Sequence, residues 1–251
     1  MTGHLAQIFR HPIKAVGREE LIETVLEAGK ILPWDRAYAV AHSKSRTTDL
    51  AQPWAAKGNF LRGVTGPSLM AVEAHFDDVT HRVRLTHPLR PDVNLALDTD
   101  EAELLAWLAP IWPDEAPSPT QIIHHPEQAQ TDVPQPWVSI HARASHAQVA
   151  QKLDQPDLSI HRWRGNLWLD GVDAWDERNW VGRDIQIGDA VLHVHQPITR
   201  CKATMANPIT GARDLDTLAV LQSNWGHMDF GVYASVTTGG QLVPGAPVKV
   251  L

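Results

Sequence analysis

The chain has 251 residues, and 43% of them are hydrophobic, which is enough to bury a core without covalent or metal staples. The net charge of −7 argues against a broad nucleic-acid interface, because phosphate backbones bind basic surfaces. The single cysteine, Cys201, excludes an internal disulfide, a four-cysteine zinc site and an iron–sulfur cluster held by cysteines of this chain alone.

The N-terminal sequence lacks the basic segment and apolar run of a secretion signal. No stretch approaches the roughly 18 apolar residues of a membrane span. We therefore expect a soluble, cytoplasmic protein that makes no membrane contact. A compact two-domain chain needs no partner to complete its core, so we also expect a monomer.

Short β-like runs alternate with Gly, Pro, Asp or Ser through the first ninety residues, which indicates a small barrel or sandwich. One short helix is predicted in "GPSLMAVEAHF", where Leu69, Val72 and Phe76 have helical spacing after a proline. A second is predicted in "AELLAWLAPIW", with Asp98 or Thr99 as its cap.

Four prolines within "PIWPDEAPSPT" interrupt regular structure, and we place a domain boundary near Pro117. Residues 1–116 then form an N-terminal β-barrel domain, and residues 117–251 a second, mostly β domain. The fold class is mostly β, with a few short helices and two closely packed domains.

The second half predicts two helices and several strands. The helices are "SHAQVAQKL", capped by Ser145, and "LDTLAVLQSNW". The strands are "WRGNLWL" and "DIQIGDAVLHVHQPI", followed by a last hairpin that turns at Gly239 and Gly240.

Cys201 lies between Arg200 and Lys202, and positive neighbours favour the thiolate, which attacks electrophiles and binds metals. A lone cysteine is more often a small buried hydrophobe. Here the polar "QPITRC" ends a strand and leads into the turn-rich "NPITG", so we expect a functional loop at a strand end.

Other polar residues allow two interpretations each. His193 and His195 share one face of a predicted strand, where they are metal ligands or, as we favour, solvent-facing residues. Basic residues in predicted loops are individually ordinary solvated side chains. Together with Arg200 and the amides of "NPITG", they would surround a phosphate-bearing cofactor, because guanidinium groups fork onto phosphate oxygens. They are Lys14, Arg36, Lys57 and Arg164.

The order of "IFRHPIK", "LPWDRAYAV", "WAAKGNFL", "RGNL", "GDAVLHV", "RC", "NPITG", "DFGVYASV" and "PGAPVKVL" resembles the MOSC proteins over essentially the whole chain. The likeness is to the mitochondrial amidoxime reducing component and its bacterial relatives, in which a β-barrel domain precedes the MOSC domain. It implies a molybdenum cofactor, a pterin whose dithiolene sulfurs hold the metal. By the match to "RC", Cys201 gives its thiolate to that metal.

The resemblance also implies roles for other residues. Lys14, Arg36 and Arg164 would anchor the pterin and its phosphate, and Asn166 and Thr210 would form hydrogen bonds around it. Asp214 would position water or pass protons near the metal, although a helix cap explains it equally well. The implied catalytic residues are thus Cys201 and Asp214, and the implied cofactor-binding residues are Lys14, Arg36, Arg164, Asn166, Arg200, Thr210 and Gly211. Ala15 departs from the family, since many relatives have Ser after the lysine.

The activity implied is reduction of N-hydroxylated compounds, such as amidoximes, hydroxylamines or N-hydroxylated bases. Electrons would come from a separate donor protein, because this chain has no cysteines for its own cluster. The alternative is a cofactor or sulfur carrier that uses a Cys201 persulfide and has no reductase activity of its own. A fold that persists after loss of the cofactor is a third possibility.

Overall fold

Short strands make up most of the regular structure in the computed structural model, which describes residues 3–125 and 128–251. The fold class is therefore mostly β, as the sequence indicates. The strands are β1 (His4–Arg10), β2 (Glu19–Leu21), β3 (Thr24–Leu26), β4 (Tyr38–His42), β5 (Glu73–Asp77), β6 (Arg82–His87), β7 (Arg90–Ala96), β8 (Pro119–His124), β9 (Trp137–Ala142), β10 (Leu167–Asp170), β11 (Asp184–Ile187), β12 (Ala190–Thr199), β13 (Asp229–Thr238), β14 (Gly240–Leu242) and β15 (Val248–Val250).

The helices are short and lie between the strands. The α-helices are α1 (Thr47–Leu50), α2 (Glu101–Leu108), α3 (Arg143–Lys152), α4 (Asp176–Asn179) and α5 (Thr217–Trp225). Short 3-10 helices occupy Lys57–Asn59, Pro67–Ala71, Ala109–Ile111, Ile160–Trp163 and Lys202–Met205. Across the described ranges, none of the helices has the length and apolar character needed to cross a membrane.

An eight-stranded sheet in the order β15-β11-β12-β13-β9-β10-β1-β2 forms the centre of the fold. β9 and β10 run parallel, and the other neighbours are antiparallel. Along β12, Ala190, Leu192 and Val194 are fully buried whereas His193 and His195 face outward, the alternation expected of a strand with one core face. β1 pairs with β10 and contributes to the same hydrophobic core.

A second hydrophobic core lies under the three-stranded sheet β5-β6-β7, the pair β4-β8 and helix α2. Alternating side chains of β6 and the buried face of α2 meet there, including Val83, Leu85, Leu104 and Leu108. The boundary near Pro117 stays a prediction. Within the described residues, three strand pairs cross it, namely β1–β10, β3–β14 and β4–β8.

Two predicted helices of the first half need correction. Leu69 lies in the 3-10 helix, but the helix ends before Val72, and Phe76 belongs to β5, because hydrogen bonding to β6 outweighs the helical spacing. Helix α2 begins at Glu101 and is capped by neither Asp98 nor Thr99. The Asp98 carboxylate instead accepts hydrogen bonds from Tyr38 and His81.

In the second half, α3 begins before Ser145, and this hydroxyl donates to the buried Glu177 instead of capping the helix. The predicted strand in "WRGNLWL" is confirmed only from Leu167, because a 3-10 turn precedes it. The hairpin predicted at Gly239 and Gly240 is wrong, since β14 pairs with β3 and β15 with β11. Both partners are distant in sequence, so turn residues alone could not identify them.

Candidate functional site

A cavity of about 290 Å³ lies beside the ends of β12 and β10 and is also lined by loops from the first half of the chain. Residues far apart in sequence line it together, including Lys14, Arg36, Arg164, Asn166, Arg200 and Cys201. Lys57, Arg62 and Arg162 also line it, whereas Asp132 is the one acidic residue in the described lining. The acidic chain therefore contains a strongly basic cavity suited to an anion.

Cys201 follows the end of β12 and precedes the 3-10 helix Lys202–Met205, so the predicted position on a loop at a strand end is confirmed. The residue is exposed and lines the cavity. Its backbone carbonyl accepts hydrogen bonds from the amide and the hydroxyl of Thr204, both at 3.1 Å. The main chain is thus held by the turn, which leaves the thiol at the cavity wall.

A buried ion pair fixes Arg36. Asp35 is fully buried, and its carboxylate accepts from Nη1 of Arg36 and from the backbone amide of His11 at 2.9 Å. Burial alone would raise the pKa of Asp35, but the Arg36 cation and the His11 hydrogen bonds hold that pKa well below its usual range. Nη2 of Arg36 donates to the backbone carbonyl of Arg164 at 3.0 Å, which links the two arginines.

Arg164 brings a hydrogen-bond donor that the protein leaves unused. Its Nη2 is buried and has no hydrogen-bond partner among the described residues. Burial, reinforced by the nearby Arg36 cation, lowers the pKa of Arg164 to about 9, so the guanidinium stays charged at neutral pH. Because a buried unpaired donor is costly, this atom is suited to an oxygen acceptor of a bound anion.

Two lysines approach the single carboxylate of the cavity. Nζ of Lys14 lies 2.6 Å from Oδ1 of Asp132, and Nζ of Lys57 lies 3.5 Å from Oδ2. Burial opposes ionisation of Asp132, but the lysines and Arg36 lower the pKa of this carboxyl to about 2. The Arg62 guanidinium makes no hydrogen bond or ion pair within the described residues and remains available to a ligand.

Asp214 does not belong to the cavity lining, but it contacts Arg162, which does. Its Oδ2 accepts from Nη2 of Arg162 and from Nδ2 of Asn207, each at 2.8 Å. Burial raises the pKa of Asp214, but these hydrogen bonds lower it overall, which keeps the carboxylate ionised. The helix cap before "LDTLAVL" is Asp216, whose side chain accepts from the Ala219 amide at 2.9 Å. Asp214 therefore positions Arg162 in the cavity lining.

Two predicted cofactor-binding residues line the cavity but use their polar atoms within the protein. Arg200 donates to the carbonyls of Trp163 and Phe230. Asn166 accepts from Ser139 and donates to the Phe9 carbonyl at 3.1 Å, which joins β9 and β10 to β1. These contacts orient the strand ends that carry the site.

The "NPITG" loop does not supply the predicted cradle of amides. The amides of Ile209 and Thr210 bond to the Asn207 side chain, and Gly211 bonds to the Asn207 carbonyl. Thr210 and Gly211 lie outside the cavity lining. A Cβ on Gly211 would stand 2.6 Å from the Cα of Ser68, so the loop packs on the 3-10 helix Pro67–Ala71.

His193 and His195 each have a protein partner on the outer face of β12. Nδ1 of His193 lies 2.6 Å from Asp184, and Nε2 of His195 lies 2.8 Å from the Ser235 hydroxyl. No group of three or more His, Cys, Asp or Glu residues suited to a metal ion occurs within residues 3–125 and 128–251.

Sequence reasoning missed several residues of the site. Arg162 was detectable from "RWRGN", where it stands two residues before Arg164, but Arg62 and Asp132 carry no local signal. Asp35 could have been noticed as the neighbour of Arg36, although its complete burial could not. Two further lining residues were also missed: the sequence predicts Tyr233 only as part of the last hairpin, and Trp137 lies outside every predicted element.

Fold and site together define a mostly β protein whose basic cavity contains one exposed thiol. A family model described as the MOSC N-terminal beta barrel domain matches residues 2–116, and the MOSC domain model matches residues 130–249. The two matches leave few residues uncovered, and the chain belongs to the MOSC family, which is associated with the molybdenum cofactor.

Individual proteins are similar to this chain only over part of their length or at low sequence identity. Molybdenum cofactor sulfurase 2 of Culex quinquefasciatus is 31% identical over 77 residues, which are 30% of this chain and only 10% of that protein. The YuaD protein of Bacillus subtilis has a TM-score of 0.47 at 12% identity, covering 100% of this chain and 96% of the other. YiiM of Geobacillus stearothermophilus has a TM-score of 0.36 at 20% identity, covering 45% of this chain and 53% of the other. With TM-scores below 0.5, the family assignment rests on the domain models.

Proposed function

We propose that the cavity binds the molybdenum cofactor, with the Cys201 thiolate as a ligand of the metal. The observation that carries this proposal is the unpartnered Nη2 of Arg164, in a cavity where cations surround an exposed thiol. A pterin phosphate offers oxygen acceptors and negative charge to those donors, and a thiolate suits a sulfur-ligated metal. The residues present fit the group.

The proposed activity is reduction of N-hydroxylated compounds, including amidoximes, hydroxylamines and N-hydroxylated bases. When bound, the cofactor supplies the two-electron redox chemistry that removes the hydroxyl oxygen as water, with electrons from a separate donor protein. Arg164, Arg62 and Lys57 bind the anionic part of the cofactor, and Asp214 orients Arg162. A cytoplasmic location and a monomeric state belong to the same proposal.

The first test is molybdenum content per chain, by elemental mass spectrometry, for protein made in cells that synthesise the cofactor. We expect near-stoichiometric molybdenum in the wild type and a marked loss in Cys201→Ser and Arg164→Ala. Lys249→Ala is the matched control, because this exposed cation on β15 neither neighbours Cys201 nor lines the cavity. Absence of molybdenum from the wild type would refute cofactor binding.

A carrier function is the second candidate, favoured by the exposed thiol and by the likeness to a protein named molybdenum cofactor sulfurase. Cys201 would then hold a persulfide sulfur. Reduced viologen with benzamidoxime separates the candidates: a reductase turns over and Cys201→Ser does not, whereas a carrier shows no turnover. Intact-protein mass spectrometry would detect one added sulfur atom on the carrier.

A further inference from the structure

Two aromatic side chains line the cavity but belong to none of the hydrophobic clusters of the described residues. They are Trp137, at the start of β9, and Tyr233, on β13. The register pairs Trp137 with Ser235 and Tyr233 with Ser139, so both rings stand on one face of the sheet, with centroids 5.6 Å apart. Both are partly buried, and their exposed faces are available to a ligand.

The next strand supports these rings from outside the cavity. The His195 ring stacks on Trp137 at 4.7 Å with an interplanar angle of 19°, and its Nε2 is held by Ser235. His193 meets His195 at 5.0 Å and is anchored in turn by Asp184. We call Trp137 and Tyr233 the aromatic wall. The anchored His195 ring fixes the orientation of Trp137 before any ligand binds.

We infer that the aromatic wall is the specificity surface of this cavity and binds the planar ring of an aryl or heteroaryl N-hydroxylated compound. The inference rests on the proposed function. Elsewhere the described lining carries seven cations against one carboxylate, a charge excess suited to a phosphate, whereas the wall is uncharged and offers π faces. An alkyl compound has no ring to stack there.

The position of the wall relative to the thiol supports this assignment. β12 carries His195 and continues directly into Arg200 and Cys201, and β13 pairs with β12 along its length. The wall and the thiol are therefore held by the same rigid sheet. Burial raises the pKa of Tyr233, so its hydroxyl keeps its proton at neutral pH and can donate a hydrogen bond to the N–O group.

The test compares benzamidoxime with acetamidoxime, which differ in the aromatic ring. Protein from cofactor-producing cells is titrated with each compound by calorimetry, and kcat/KM is measured with reduced viologen. We expect the wild type to prefer benzamidoxime. Trp137→Leu should lower the affinity and the kcat/KM for benzamidoxime about tenfold, since stacking is lost together with apolar burial. The affinity and the kcat/KM for acetamidoxime should stay nearly unchanged. Trp137→Phe should restore most of the preference.

Two further variants keep the test decisive. His195→Ala removes the ring behind Trp137 and should lower benzamidoxime affinity alone, even if Trp137→Leu misfolds. Trp225→Leu is the control, because Trp225 packs on Trp175 outside the cavity lining. Three outcomes would overturn the inference: an equal loss of affinity for both compounds, an unchanged preference for benzamidoxime in the wall variants, or no binding of benzamidoxime by the wild type. Calorimetric binding with the expected dependence on Trp137, but without turnover, would refute only the proposed activity.

Discussion

Several cavity residues adopt backbone conformations that are unfavourable for side chains other than glycine. Ala15, Arg36 and Arg164 have φ values of 63°, 54° and 48°, in the left-handed region. Such conformations cost on the order of 1–3 kcal/mol each, so surrounding contacts must maintain them. For the two arginines, the buried carboxylate of Asp35 supplies such contacts, because it holds Arg36, which holds the Arg164 carbonyl.

Replacing Asp35 by Asn should therefore destabilise the protein. The amide keeps the shape of the side chain but leaves the Arg36 cation without its buried counter-charge, and we expect a loss of about 3 kcal/mol in the free energy of unfolding. Denaturant titration measures this loss. Glu73→Gln is the matched control, because the Glu73 side chain in the ion pair with Arg18 is 64% exposed, and its loss should cost less than about 1 kcal/mol. Equal effects of the two substitutions would contradict the role given to Asp35.

At the scale of elements, the loop 207–211 is a packing element. Its amides are satisfied within the loop, Asn207 holds Asp214, and the Gly211 backbone lies against Ser68 of the first half. The Arg18 guanidinium adds a hydrogen bond to the Pro208 carbonyl at 3.2 Å. The loop thus supports Arg162 through Asp214 while standing outside the cavity lining.

Gly211→Ala should destabilise the protein more than the same substitution at a left-handed glycine with open space around it. Gly211 and Gly226 have φ values of 74° and 75°, but only Gly211 has backbone atoms within reach of an added Cβ. We expect Gly226→Ala to cost about 1 kcal/mol of stability, from backbone strain alone, and Gly211→Ala to cost clearly more. Thermal and denaturant unfolding of both variants provides the comparison. Similar losses would show that the loop can move away from Ser68.

At the scale of the whole molecule, the site depends on both halves of the chain. Lys14 and Arg36 come from the first half, and Arg164 and Cys201 from the second. The sheets are shared in the same way, since β1 completes the eight-stranded sheet and β3 pairs with β14. Each half therefore lacks strand partners when it stands alone.

We accordingly expect the protein to unfold in a single cooperative transition, with calorimetric and van't Hoff enthalpies that agree. A fragment of residues 117–251 should lack native near-ultraviolet circular dichroism, because it lacks β1, the partner of β10, and β3, the partner of β14. Differential scanning calorimetry of the full chain and spectroscopy of the fragment make the test. Two resolved transitions, or a natively folded fragment, would instead show that the predicted domains are independent.

The sequence by itself determined the features that depend on neighbouring residues. Alternation at Ala190, Leu192 and Val194 defined β12, the polar stretch after it placed Cys201 on a loop, and the order of motifs indicated the family. The tertiary structure decided the partner of β14 and the strand at Phe76, because pairing energies between distant segments outweigh local spacing. It also decided which cations have unused donors. Arg200 and Arg164 look alike in sequence, but contacts with Trp163 and Phe230 engage Arg200, while one buried nitrogen of Arg164 stays unpaired.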